Sequence, residues 1–300
     1  MVLRVYWGHY GSMRVVSRQS DLLLQLTRLA YRYDSIVAPT YHRTDSLPEF
    51  LDNYATGHIP SLKSVLIIWN NEEEPPASLN DTIAQYPVPV KLERRAKNSK
   101  NERFRRTPGI TTAAVFALDD DMVINPRDVE YGFQAWQTFH QPRTRMVGYI
   151  RRREENGLYR MSPSPDGYSM VLTKSAFIHV DWMDLWWADT QIMRDFRDYV
   201  EARKLPEQYP VLRTGCEDIA MAYLYAHHSR VPPLWVSGSA FHDTGHSKLD
   251  GISTQPGHND ARTACVQHFN EVFGNDTLIN TQIYAALYED ASVENDRHGE

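Results

Sequence analysis

The chain has 300 residues and a net charge of -6; 42% of its residues are hydrophobic and 11% aromatic. That composition is enough to bury the core of one large domain or two fused lobes, and it excludes a disordered chain. The acidic balance argues against a protein that lives on nucleic acid, while leaving room for a local basic groove that takes an anionic ligand.

No stretch approaches the roughly 20 apolar residues that span a bilayer. The first seven residues hold no apolar run long enough for a signal peptide, so the chain as given is expected to be soluble. Two features also fit a lumenal protein whose anchor and stem lie outside this sequence. The sequons Asn80-Asp81-Thr82 and Asn275-Asp276-Thr277 would accept N-glycans, and there are only two cysteines, Cys216 and Cys265. On the residues alone, two buried free thiols remain as open as a bridge.

In chain order, residues 21–30 have mixed helical spacing and are expected to form an accessory helix. Short apolar runs at 35–38, 64–69, 88–92 and 113–118 are expected strands. Polar, helix-compatible stretches at 46–55 and 77–85 lie between them. Strands alternating with helices predict a largely parallel, Rossmann-like α/β sheet, whose ligands collect at the carboxyl ends of its strands. Further on, helices are expected over 128–139, 217–226 and 261–273, with strands over 146–151 and 168–173. The stretch 161–165 contains two prolines and is expected to be a loop or hairpin tip.

The strongest chemical signal is Asp119-Asp120-Asp121, directly after the apolar run 113–118. A buried strand delivering carboxylates at its end suits a hard divalent cation, which would neutralise charge on a departing diphosphate. A solvated acidic turn or a helix cap would look the same. Arg43, Asn70, Asn101 and Arg106 lie near successive strand ends. Arginine grips phosphate through its planar fork, and asparagine reads a base edge such as that of uracil. Downstream, Glu217 and Asp218 begin an expected helix, whose dipole stabilises their anionic form. They either cap that helix or face an anomeric carbon. His258 and Arg262 stand four apart, on one helix face, where they could hold a diphosphate. His242 and His246 lack a cysteine cluster to complete a structural zinc site. Arg151-Arg152-Arg153 reads as a solvated strand end or as a contact for an acidic acceptor.

From about residue 36 to about residue 273 the chain resembles the exostosin-type glycosyltransferases, family 64. The resemblance is carried by collinear blocks: Thr40-Tyr41-His42-Arg43-Thr44-Asp45, Val65 to Asn71, Pro87-Val88-Pro89-Val90 and Asn101 to Arg106. It continues through Leu118-Asp119-Asp120-Asp121, Tyr168-Ser169-Met170-Val171-Leu172, Cys216-Glu217-Asp218-Ile219-Ala220-Met221 and Arg262-Thr263-Ala264-Cys265. It implies a GT-A fold, with residues 1–33 as an extension or stem remnant and 286–300 as a polar tail. Residues 34–125 would be the nucleotide-binding half and 126–285 the acceptor and catalytic half.

The implied chemistry is transfer from a UDP-sugar, UDP-N-acetylglucosamine first, to a glycan or glycolipid acceptor, with Mn2+ or a similar ion and retention of configuration. By matched position, Arg43, Asn70, Asn101, Arg106, Asp119 and Asp120 resemble nucleotide-binding residues, and Asp119 and Asp121 the ends of the DxD metal motif. Asp218 and Arg262 resemble the catalytic pair, with Glu217 in reserve and His258 near the diphosphate. The resemblance also implies a Cys216 to Cys265 disulfide, a Golgi or endoplasmic reticulum setting with a type II anchor outside this chain, and room for a homodimer. Glu217 stands where a second Asp is familiar, and Gly257 where an aromatic can occur. A catalytically silent exostosin-like partner protein and a metal-dependent phosphohydrolase are the other classes compatible with these residues.

Overall fold

The computed structural model describes residues 33–139, 145–161, 167–202, 215–237 and 257–286, together with strand backbone at 4–6, 12–14 and 241–243. The strands in chain order are β1 Arg4–Tyr6, β2 Ser12–Arg14, β3 Asp34–Thr40, β4 Leu62–Trp69, β5 Val90–Arg94, β6 Ala114–Leu118, β7 Met122–Ile124 and β8 Val147–Gly148. They continue as β9 Arg151–Glu155, β10 Leu158–Arg160, β11 Met170–Val171, β12 Ser175–His179, β13 Leu234–Ser237, β14 Phe241–Asp243 and β15 Tyr284–Ala286. Helices are α1 Leu47–Tyr54, α2 Ala77–Ile83, α3 Pro126–Phe139, α4 Val180–Trp186, α5 Gln191–Ala202, α6 Glu217–Ser229 and α7 His258–Phe273.

Ten strands join one sheet in the order β2-β1-β15-β13-β8-β12-β6-β3-β4-β5. Strands β3, β4, β5 and β6 run parallel, as the alternation of apolar and helical segments predicts. The chain leaves β3 on one side for β4 and β5, then returns on the other side for β6. The carboxyl ends of β3 and β6 therefore flank a topological switch point, where such sheets open a crevice for ligands. The remaining strands of this sheet are antiparallel or mixed, with β12 antiparallel to both β6 and β8.

Side chains of the parallel strands alternate between two apolar layers, as the two-residue strand period requires. Ile36, Ala38, Val65, Ile67 and Phe116 pack with Phe50 and Tyr54 of α1 and Phe133 and Trp136 of α3. Val37, Leu66, Ile68 and Val115 face the other way, toward a layer holding Trp186, Phe196, Tyr223 and Phe269 of α4 to α7. The result is a three-layer sandwich. Helix α6 is its most enclosed helix, buried on every side from Glu217 to Ala226.

Several boundaries differ from the pattern-based expectation. Strand β5 lies at 90–94 instead of 88–92, because Pro87 and Pro89 have no amide hydrogen to give a ladder; Pro89 only accepts, from Val65 N at 2.9 Å. The segment expected as one strand over 146–151 splits into β8 and β9, which belong to different sheets. At Gly148 the β8 backbone lies close against β12, where an added Cβ would meet the Ser175 carbonyl at 2.8 Å. The apolar pattern does not predict β12, α4 or α5; β12 is a five-residue strand buried on both faces and shows no alternation. The expected helix over 21–30 lies outside the described residues. Among the described residues no helix is long and apolar enough to cross a membrane.

At the amino end of β3, away from the switch point, Asp34 is fully buried. Burial pushes its carboxyl up to about 7; the Ser61 hydroxyl opposes this, and Glu130 of α3 adds to it. The folded state thus holds a proton that the unfolded chain gives up near its ordinary value. Stability contributed by that proton is present below the unfolded pKa and is lost as pH rises toward 7. Asp34→Asn removes the titration. Its stability relative to wild type is expected to rise between pH 5 and pH 8, by about 3 kcal/mol for the roughly two units of the shift that lie above pH 5. Parallel pH–stability curves for the two proteins would show that Asp34 does not carry this proton.

Candidate active site

The switch point opens into a cleft of about 310 Å3 that brings together residues far apart in sequence. From β3 comes the turn Tyr41-His42-Arg43, in which His42 has φ 54° and its amide donates to Asn71 Oδ1 at 2.6 Å. From β6 comes Asp119-Asp120-Asp121, and the same Arg43 nitrogen reaches Asp120 at 2.8 Å and Asp121 at 2.7 Å. Lys174 adds a looser contact to Asp121 at 3.7 Å. The turn is braced from below by α1: the Tyr54 hydroxyl donates to Met122 O and accepts from Ile124 N, each at 2.9 Å. Burial pushes the Asp120 carboxyl up to about 6, against the pull of Arg43.

The opposite wall is made by the first turns of α6 and α7. Asp218 and Arg262 are both buried and meet at 2.6 Å; a second Arg262 nitrogen donates to the Gly215 carbonyl at 3.1 Å, and the guanidinium lies 4.8 Å over the Tyr159 ring. Burial alone would raise the Asp218 carboxyl, but the Arg262 charge and hydrogen bond outweigh it and hold it below the usual range. Cys216, the cap of α6, forms a disulfide with Cys265, three residues after Arg262 and so on the same face of α7. Gly257 enters α7 with φ 82°, a left-handed conformation that glycine tolerates, and sets His258 at the helix start. Burial and then the charge of Arg262 push His258 down to about 4, so it is neutral at physiological pH.

Of the residues singled out from sequence, Arg43, Asn70, Asp119, Asp120, Asp121, Glu217, Asp218, His258 and Arg262 line this one cleft. Asn101 and Arg106 do not. The Asn101 amide donates to Arg197 O at 3.2 Å and Glu201 at 3.1 Å, tying the 3-10 turn Lys100–Phe104 to α5. Arg106 is exposed and pairs with Asp184 at 2.6 Å. Their neighbours Asn98, Lys100 and Arg103 line the cleft instead. In a 3-10 turn side chains three apart share a face, so Lys100 and Arg103 enter the cleft together while Asn101, one position on, points away. Arg103 is buried; it contacts Asp119 and lies 3.9 Å from Glu217, which joins the two walls. Arg152 of β9 also faces the cleft, donating to the Tyr159 hydroxyl at 3.1 Å. The side chains of His242 and His246 lie outside the described residues, although the β14 backbone pairs with β7 just after the acidic turn.

The acidic turn offers carboxylate oxygens, the donor chemistry of a hard divalent cation, and one buried Asp120 oxygen has no hydrogen-bond partner. Among the described residues no set of three or more His, Cys, Asp or Glu side chains is spaced to enclose a metal ion. The turn therefore fits an open, partial shell that a ligand's own oxygens and water would complete.

A family model described as the glycosyl transferase family 64 domain matches residues 34–288. The chain belongs to family 64. Its α/β architecture is the GT-A type expected for the family, and the relatives it matches are named as exostosins and glycosylinositol phosphorylceramide transferases. A glycosylinositol phosphorylceramide mannosyl transferase 1 from Arabidopsis thaliana is 28% identical over 84% of this chain and 75% of its own length. A glucosamine inositolphosphorylceramide transferase 1 from Oryza sativa subsp. indica is 31% identical over 80% of this chain, and human exostosin-2 is 28% identical over 95% of it. The match spans only 31% and 38% of those two proteins.

Because the disulfide closes a 49-residue separation between the segments bearing Asp218 and Arg262, it constrains both the unfolded chain and this family-64 cleft. Replacing both cysteines by serine is expected to lower stability by about 4 kcal/mol in the chain-entropy model. Thermal melts of the variant and of reduced wild type report it, and melts unchanged by reduction would show that the bridge carries no stability.

Proposed function

We propose that this chain is a metal-dependent, retaining glycosyltransferase that moves a sugar from a nucleoside diphosphate donor to a glycan or glycolipid acceptor. The observation that supports this most is the single cleft that sets the Asp119-Asp120-Asp121 turn opposite the buried Asp218–Arg262 pair. Family membership supplies the transferase class. The relatives' names include both mannosyl and glucosamine transfer; UDP-N-acetylglucosamine is the first donor to test, and GDP-mannose the next.

In this reading Asp121, assisted by Asp119, holds the divalent cation, which when bound neutralises charge on the leaving diphosphate. Arg43 stands beside it for phosphate oxygens, and Asn70 lies at the end of β4 for the base. His258, neutral, offers hydrogen bonds instead of charge. Asp218 is kept ionised by Arg262 and faces the anomeric carbon, where a fixed anion stabilises developing positive charge. Arg262 remains charged throughout and steadies the departing diphosphate. In a same-face transfer that diphosphate accepts the acceptor's proton, so the new bond forms on the side the leaving group vacates. The disulfide and the two sequons support an oxidising lumen, Golgi or endoplasmic reticulum, as the working compartment.

Donor binding measured by calorimetry should require Mn2+ or a similar ion in wild type and lose that dependence in Asp121→Ala; unchanged affinity and metal response in the variant would sink the metal assignment. For turnover, Asp218→Asn is expected to lower kcat by about a hundredfold or more, some 2.7 kcal/mol of barrier, with donor affinity little changed. A melting curve checks that the variant is folded. Near-normal turnover, or an inverted product by NMR, would remove Asp218 from this role.

A further inference from the structure

Arg43 holds two carboxylates of the acidic turn with a single nitrogen. Its Nη1 donates to Asp120 Oδ1 at 2.8 Å and to Asp121 Oδ2 at 2.7 Å, so it sits between two of the groups that a divalent cation would use. Asp119 is met by Arg103. Each carboxylate of the turn therefore has a guanidinium partner, but the two arginines are held very differently. The Arg103 side chain is 6% exposed and fixed between the walls, whereas that of Arg43 is 36% exposed. Arg43 has room to turn. Its backbone does not: its carbonyl accepts from the Ser46 amide at 3.1 Å and the Ser46 hydroxyl at 2.9 Å, and the preceding amide, of His42, donates to Asn71. Movement is confined to the side-chain torsions.

Adjacent buried carboxylates repel each other, and Asp120 and Asp121 are both buried, so the turn needs a counter-ion. A guanidinium supplies one. A divalent cation would serve as well, but it binds oxygen at about 2.0–2.6 Å, too close for the same oxygens to keep a second cation between them. A displaced guanidinium then needs an anion, and a diphosphate in the cleft offers oxygens that match its planar fork. We propose that Arg43 is a placeholder for the cation: it occupies the Asp120–Asp121 pair until metal and diphosphate arrive, then yields the carboxylates to the metal and turns to the phosphate oxygens. Metal alone must break the Arg43 contacts with no anion to receive them, so metal and nucleotide strengthen each other's binding. This rests on the proposed function, in which Asp121 holds the cation and the donor brings the diphosphate.

Free Mn2+ followed by electron paramagnetic resonance reads metal binding to the full chain without turnover, first alone and then with saturating UDP or GDP. In wild type the nucleotide should tighten Mn2+ binding by about tenfold or more. Arg43→Gln should bind Mn2+ alone about tenfold more tightly than wild type, because the charge-assisted hydrogen bonds no longer have to be broken, and the nucleotide should then tighten it correspondingly less. Lys174→Met separates a placeholder from a positive charge that is merely nearby. Lys174 lies 3.7 Å from Asp121, too far for a hydrogen bond, so its loss should change Mn2+ binding by less than about threefold. Melting curves check folding, and Arg43→Met takes the place of Arg43→Gln if that variant does not melt cooperatively. Equal Mn2+ affinities of wild type and the Arg43 variant without nucleotide would overturn the proposal. So would an equal gain in Lys174→Met. Failure of Mn2+ to bind any of these proteins, with or without nucleotide, would instead remove the metal from the proposed function, and the exchange with it.

Discussion

The buried ion pair between Asp218 and Arg262 is the interaction on which the rest of the cleft depends. Neither charge could stay inside a protein alone, since removing one partner of such a pair typically costs about 3–5 kcal/mol. The pair persists because its surroundings are built for it. The Gly215 carbonyl takes a second guanidinium nitrogen, the Tyr159 ring lies over the guanidinium, and the Cys216–Cys265 bridge clamps the two helices one turn from the contact. Holding Arg262 there also aligns the start of α7, which carries His258, with the start of α6, which carries Glu217.

Arg103 extends this arrangement across the cleft. Its guanidinium, charged despite its burial, touches Asp119 of the acidic turn and faces Glu217 of the opposite wall. The two walls come from different parts of the chain, yet they share this cation. The cleft as a whole sets Arg43, Lys100, Arg103, Arg152, Lys174 and Arg262 against Asp119, Asp120, Asp121, Glu217 and Asp218. A chain with a net charge of -6 thus keeps a locally balanced site, where an anionic ligand meets cations within the reach of hydrogen bonds.

Much of the parallel core was legible before any coordinates. The runs of β3 and β4 are rich in β-branched residues, that of β6 is wholly apolar, and helical polar stretches lie between them, so local pattern and tertiary role agree. The same holds for Asp119-Asp120-Asp121, since carboxylates placed after a buried strand must emerge at its carboxyl end. Short strands buried on both faces, such as β12, carry no periodic signal. In the 3-10 turn Lys100–Phe104 the pattern misled, and Asn101 and Arg106 turn away from the cleft while Asn98, Lys100 and Arg103 enter it.

What the sequence determined by itself is therefore the class of fold, the identity of the charged groups and their order along the chain. These follow from periodicity and residue chemistry, which are local properties. Tertiary structure alone decided which charges neutralise one another and which remain without a partner. Arg43 closes on residues 77 and 78 positions away, and Arg262 on one 44 positions away, while among the described residues Lys100 pairs with no carboxylate. The physical reason is that pairing energy falls with distance and rises with burial, and both quantities exist only once the sheet, its switch point and the disulfide have brought distant segments together.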